Sequence, residues 1–259
     1  MARKIAVDDP ELGPLTDDLL TRDVRVFQRQ KGHRFSSDDV VTAYVAYQAA
    51  PEARRVLDLG CGLGSVLLHL AWKLPQAKLS GIEAQPMSFE LLRRNVARSG
   101  LGARIRIEQG DLREDSLLDR FGSDFDLVTG TPPYFPSAAA LDAEDEQRAL
   151  ARVEYRGGID AYIDAGARRL GRRGTLVVCG DARALQRTTS ASIAAGLSVH
   201  ARCDVVARAG RPPLFSVWTL RRAAADGRLE SLVLRDAAGG PTDGARRLRE
   251  FSGIGEMSS

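Results

Sequence analysis

"RVLDLGCGLG", Arg55 to Gly64, decides the fold. Its first five residues are a short β-like run with an apolar centre, and the rest is a turn built on Gly60, Gly62 and Gly64. "GSVLLHLAWKL", Gly64 to Leu74, then carries apolar residues on one helical face. A buried strand emptying through a glycine turn into a helix is how a parallel-sheet unit begins. Glycine lets the backbone turn tightly there and approach a ligand more closely than a residue with a Cβ could.

Working outward, strands and helices alternate. "KLSGIEA" (Lys78 to Ala84) reads as a second strand, followed by the helix "PMSFELLRRNVARSG", with proline near its first turn and glycine at its end. "ARIRIEQGD" (Ala103 to Asp111) is a third strand and "DFDLVTG" (Asp124 to Gly130) a fourth. A helix around Ile159 to Leu170 leads into "GTLVVCGD", a fifth. This order predicts an α/β fold with a parallel sheet and crossover helices. "SVHARCDVVAR" and "PLFSVWTLRR" are joined by "AGRPP", too short for a parallel crossover, so they should form an antiparallel hairpin and leave the sheet mixed at one edge. In the front segment, Ser36 or Ser37 can cap a helix near Asp38, whose acidic start suits the helix dipole. The expected division is a lid or substrate-side segment over 1–50, a core domain over 51–222 and an extension over 223–259.

The 259 residues, 44% hydrophobic, suffice for one large domain. No apolar run approaches the roughly 20 residues of a membrane span, and "MARKIAVDDPELGPL" lacks a secretory apolar region, so a soluble cytoplasmic protein without a membrane partner is expected. Cys61, Cys179 and Cys203 are widely spaced without CxxC partners, which indicates neither a disulfide framework nor a metal site. The net charge of +3 permits a nucleic-acid partner without arguing for one; of 37 basic residues 33 are arginine, a bias that a GC-rich genome explains. His69, His200, Trp72 and Trp218 read as packing or surface residues.

In an open α/β sheet, ligands bind outside the carboxyl ends of the strands where strand order reverses. Asp58, Gly60, Gly62 and Gly64 fall there after strand one, and Glu83 at the end of strand two is placed to accept both hydroxyls of a ribose. A dinucleotide dehydrogenase shares this skeleton, but the third glycine of GxGxxG would fall at Ser65, and a carboxylate at Asp58 is unsuited to a pyrophosphate. Asp58 suits a cation, such as the ammonium group of S-adenosylmethionine. Asp111, after strand three, can take an adenine amino group with Leu112 supplying an amide; the alternative is a helix cap.

"TPPYF", Thr131 to Phe135, follows strand four. Together with "VLDLGCGLG", "GIEA" and "GDL" it resembles the class I methyltransferases that carry an [N/D]PP[Y/F] signature and methylate amino nitrogens. The flanks "VFQRQKGHRFSSDDVVTAYVA", "RALARVEYRGGIDAY" and "SLVLRDAAGGPTDGARRLRE" resemble those of bacterial tRNA(Val) adenine-N6 methyltransferases. The resemblance implies a Rossmann-like, seven-stranded mixed sheet with an antiparallel last strand, an N-terminal helical lid, S-adenosyl-L-methionine as cofactor, no metal, and tRNA as a partner. Carried over, Thr131 and the Pro132 carbonyl would accept the two N–H bonds of the target amine, Pro132 and Pro133 would hold that carbonyl rigidly, and Tyr134 would stack on the base. His33, Arg34, Phe35 and Ser36 would close over the methionine end of the cofactor. Two positions depart from the pattern: Thr131 stands where the family has asparagine, and Val153, before Glu154, where it has histidine. With Thr131's shorter reach, a small-molecule or protein amine or hydroxyl is the alternative acceptor, and a non-catalytic cofactor- or RNA-binding scaffold a further one. The acidic stretch "PSAAALDAEDEQ" is the candidate substrate-covering loop.

Overall fold

In the computed structural model, which describes residues 5–133 and 157–255, the chain opens with three antiparallel strands, Ile5–Asp9 (β1), Gly13–Leu19 (β2) and Arg25–Arg29 (β3). The front segment thus differs in one particular from the helical lid expected of it: a small β-sheet precedes its single helix, Ser37–Ala49 (α1). Asn95 explains how that sheet attaches. Fully buried, it accepts the Phe27 N–H at 2.7 Å and donates to the Phe27 and Leu63 carbonyls at 3.1 and 3.0 Å. Its side-chain amide stands in for a neighbouring strand along β3 and ties that strand to the glycine turn.

The core alternates as read. Arg55–Leu59 (β4), Ser65–Lys73 (α2), Lys78–Glu83 (β5), Pro86–Arg98 (α3), Ile105–Gln109 (β6), Asp115–Leu118 (α4) and Phe125–Gly130 (β7) are followed, beyond residue 156, by Ile159–Arg169 (α5), Leu170–Gly180 (β8) and Leu185–Ala194 (α6). Ser198–Val206 (β9) and Phe215–Arg221 (β10) form the antiparallel hairpin. Arg228–Val233 (β11) adds an eighth strand, parallel to β9, and Asp243–Phe251 (α7) closes the described chain. The strand order is β11-β9-β10-β8-β7-β4-β5-β6, with β10 antiparallel to both neighbours. The tail therefore extends the expected seven-stranded sheet. β11 is exposed along most of its length, so its sequence lacks the alternation that marks a half-buried strand.

Two apolar layers sandwich the sheet. Val56 and Leu79 face the layer under α1, α2 and α3, while Leu57, Leu59 and Ile82 face the layer under α5, as the two-residue repeat of a strand requires. The first layer also takes in Leu15 and Val26 from the front sheet and Leu232, Leu248 and Phe251 from the tail. One buried cluster thus spans both boundaries, 50/51 and 222/223. His69 pins the tail: its ring stacks on Phe251 with centroids 5.7 Å apart and bonds the Ser65 carbonyl at 2.9 Å and the Ser252 hydroxyl at 3.2 Å. Trp218 is fully buried on β10; Trp72 is only half-buried, its indole N–H donating to Asp23 at 2.9 Å. The three cysteines are buried and free. No helix among the described residues is long and apolar enough to cross a membrane.

Candidate functional site

Strand order reverses between β5 and β7 on either side of β4, and a cleft opens at the carboxyl ends of these strands. Its open space, solvent mouth included, is about 820 Å³. One wall is the turn, with Gly60, Cys61, Gly62 and Leu63; another holds Glu83, Asp111 and Leu112; a third holds Thr131, Pro133 and Gly157; His33, Phe35 and Asp39 close the front.

Gly60 ends β4 at φ +59°, and a Cβ built there would lie 2.1 Å from the Tyr162 Oη. A side chain at this position meets both a disfavoured backbone conformation and an aromatic ring. Gly64 serves packing instead. It caps α2 at φ +96°, and its missing Cβ makes room for Leu92, 2.8 Å away, on α3. Gly62 lines the cleft and donates its N–H to Glu83 Oε2 at 2.8 Å.

Glu83 is buried, and its Oε1 accepts the Gln85 N–H, also at 2.8 Å. The carboxylate therefore locks the glycine turn onto β5. A carboxylate oxygen can accept more than one hydrogen bond, so the same group is chemically able to accept a ligand hydroxyl.

Asp58 lies under the cleft floor and does not line it, 1% exposed. Oδ1 accepts the Thr129 hydroxyl at 2.7 Å, and Oδ2 is buried without a hydrogen-bond partner. Burial pushes its pKa up to about 7; the Thr129 hydroxyl pulls it back, the Glu83 charge raises it, and the Leu67 amide lowers it again. A buried, half-satisfied acid at a strand end is a group awaiting a donor or a cation.

The front wall is held by the small sheet. Gln28, fully buried on β3, accepts the Phe35 N–H at 2.9 Å and donates to Asp18 at 3.0 Å. Arg34 pairs with Asp18 at 2.5 Å and donates to the Arg29 carbonyl at 2.7 Å. Phe35 reaches the cleft; Ser36 does not, because it is exposed as the cap of α1 and gives its N–H to Asp39 Oδ2 at 2.9 Å. Asp111 lines the cleft while also holding Arg113, with contacts of 2.7 and 3.0 Å to the guanidinium. Leu112 is buried beside it. Thr131 and Pro133 line the cleft and Pro132 is buried behind them. Tyr134, Val153, Glu154 and the acidic loop lie outside the described residues.

Several wall residues escaped the sequence reading, Asp39 and Tyr162 chief among them. Asp39, 8% exposed, was legible only as an acid complementing the dipole of α1. Tyr162 sits on the buried face of α5, where an aromatic reads as core; it covers Gly60 and would lie 2.6 Å from a Cβ at Gly130, bridging the ends of β4 and β7.

A methyltransferase-domain family model matches residues 56–156. A tRNA1(Val) (adenine(37)-N6)-methyltransferase of Yersinia pestis (strain Pestoides F) is 31% identical over 190 residues, covering 72% of this chain and 74% of the relative. A protein of the same description from Porphyromonas gingivalis (strain ATCC 33277) is 43% identical over 99 residues; that match spans only 38% of each chain. Among solved structures, a "predicted O-methyltransferase, protein Atu636 from Agrobacterium tumefaciens" superposes with a TM-score of 0.59 at 18% identity, over 83% of this chain and 96% of that one. An O-methyltransferase family protein from Burkholderia thailandensis gives 0.51 at 16% identity, over 73% and 56%. At these identities the likeness is one of fold.

Proposed function

The chain belongs to the tRNA1(Val) (adenine(37)-N6)-methyltransferase family, and on that premise we propose that it methylates the N6 amino group of an adenine in tRNA, using S-adenosylmethionine. The observation that carries the cofactor half of this reading is the pairing of Glu83, lodged at the end of β5, with the Gly60–Gly64 turn over the half-satisfied Asp58. The residues fit the group. A carboxylate such as Glu83 can accept ribose hydroxyls, the bare backbone at Gly62, with open space where a Cβ would stand, lets a ligand approach, and the acids near the turn suit a positively charged methionine end. Asp111 and Leu112 would take the adenine end.

When bound, the cofactor supplies an electrophilic methyl carbon on a sulfonium. This chain's own residues have to present the nucleophile. An aromatic amine is poor because its lone pair is delocalised into the ring, and in-line displacement needs that lone pair aimed at the methyl. The Pro132 carbonyl and the Thr131 hydroxyl oxygen would accept the two N–H bonds and turn the lone pair outward. Pro132 and Pro133 restrict the backbone that carries the carbonyl, so the acceptor is held before the amine arrives. Tyr134 would stack on the extruded base, a contact worth about 1–3 kcal/mol per base.

A second reading is favoured by Thr131 itself. Its oxygen sits on Cβ, one bond nearer the backbone than the amide oxygen of asparagine, and can donate as well as accept. An amine or hydroxyl of a small molecule or protein would suit that shorter reach. The experiment that separates the two incubates the protein with methyl-labelled S-adenosylmethionine and, in parallel, tRNA, protein and small-molecule fractions of its source organism. Labelled N6-methyladenosine in the digested tRNA is expected; label confined to either other fraction would replace the tRNA reading with the second one.

A further inference from the structure

The acids at the turn are more numerous than a cofactor's single ammonium group requires, and two of them, Asp39 and Asp58, are buried without an ion pair among the described residues. Asp39 faces the cleft from the first turn of α1; Asp58 lies beneath the floor at the end of β4; Glu83 stands on β5. Around Asp39 stand Asp38 and Thr42 on its own helix, Ser65 on α2, Asp58 on β4, Cys179 on β8, and the Ser36 amide that bonds its Oδ2. His33 and Tyr162 share the cleft. Around Asp58 stand Thr129 on β7, Glu83 on β5 and the Leu67 amide of α2. Among the described residues neither aspartate makes an ion pair with a lysine or arginine. The side chains also fail to converge on a metal-binding geometry.

Resting on the cofactor reading above, we propose that the buried carboxyls of Asp39 and Asp58 hold protons while the cleft lacks a ligand and surrender them when the positively charged methionine end of the cofactor binds. Charges packed within one buried site cannot all ionise at neutral pH, and an arriving cation relieves the penalty. The step is a proton dissociation: a carboxylic O–H breaks, its electron pair stays on the carboxylate, the charge of the cation in the cleft offsets that of the carboxylate, and the proton passes to buffer. Burial first and neighbouring carboxylates second, Asp38 and then Asp58 for Asp39 and Glu83 for Asp58, raise both groups toward neutrality, Asp39 to about 8 and Asp58 to about 7, in keeping with this assignment. The consequence is an affinity for the cationic cofactor that climbs with pH through the neutral range.

Calorimetric titration with S-adenosylmethionine at pH 7, in phosphate and in Tris, tests it, because the difference in heat between buffers counts the protons released. Release of a substantial fraction of a proton is expected, falling in Asp39→Asn, whose amide oxygen can still accept the Ser36 N–H and cap α1. An infrared difference spectrum of the unmodified protein should lose a protonated-carboxyl band on binding, a readout that does not depend on the variant. Binding with equal heats in both buffers, or with the band unchanged, would overturn the proton coupling and leave the cofactor reading intact. No binding in either buffer would overturn the cofactor reading, and the inference with it.

Discussion

Thr129, the second-last residue of β7, donates its hydroxyl to Asp58 Oδ1 at 2.7 Å, so the strand that delivers Thr131 to the cleft also braces the acid under its floor. Thr129→Val keeps the shape and removes the donor. A hydrogen bond to a buried charged group contributes about 1.5–3 kcal/mol, so cofactor affinity is expected to fall roughly tenfold or more, as calorimetry would measure. An unchanged dissociation constant would show that the brace has no part in binding.

Glu83→Gln should be more damaging than its isosteric change suggests. Both carboxylate oxygens accept backbone N–H groups, from Gly62 and Gln85, and an amide can accept at only one end. The other N–H would then face an NH₂ group, a loss of about 1–3 kcal/mol. Weaker cofactor binding by about tenfold, together with a lower melting temperature, is expected. A variant with wild-type affinity would remove Glu83 from the binding machinery.

Gly60→Ala would place a Cβ 2.1 Å from the Tyr162 Oη and force an L-residue to φ +59°, the latter alone costing about 1–2 kcal/mol. For a chain of this size each kcal/mol lowers the melting temperature by about 2–4 °C, so a loss of at least about 2 °C is expected in thermal unfolding, and more from the clash with Tyr162. Adding Tyr162→Phe should recover only part of it, since the ring carbon Cζ would remain 2.9 Å from the new methyl. Full recovery would mean that the backbone at Gly60 carries no strain.

The pH dependence of stability without ligand follows from three buried groups. Asp58 and Asp39 have folded pKa values raised from 3.8 to about 7 and about 8, so the stability they contribute is present below about pH 4 and lost as pH rises through those values. His69 opposes them: burial lowers it from 6.5 to about 4, so its contribution grows as pH rises from about 4 to 6.5. Above pH 6.5 only the aspartates still change. A melting temperature that declines between pH 6.5 and 8, with a shallower decline in Asp39→Asn, is expected from scanning calorimetry; a rising one would contradict the assignment.

Much of this molecule was legible because its logic is local. The strand "RVLDL", the glycine turn, the acid at the end of "KLSGIE" and the short connector between β9 and β10 each depend on residues within a dozen positions, where periodicity and turn chemistry act. The front sheet was not legible because polar groups occupy its inward positions. Thr16, Asp18 and Gln28 are satisfied by one another and by Arg34, and β3 by Asn95 from 68 residues away, so no apolar alternation announces the strands. Asp39 and Tyr162 were missed for the same reason at the site: a capping acid and a helix aromatic acquire their place in the cleft only when α1 and α5 pack on the sheet. Gly64, conversely, shares the turn's spacing and yet answers to Leu92 rather than to a ligand.

Methyl transfer to the N6 of one adenine can be read from a single pair of substrates. A tRNA(Val) transcript with adenine at position 37, and the same transcript with guanine there, would be incubated with methyl-labelled S-adenosylmethionine and digested to nucleosides. The account predicts labelled N6-methyladenosine from the first transcript and none from the second. Equal labelling of both, or of neither while the cofactor is bound, would contradict it.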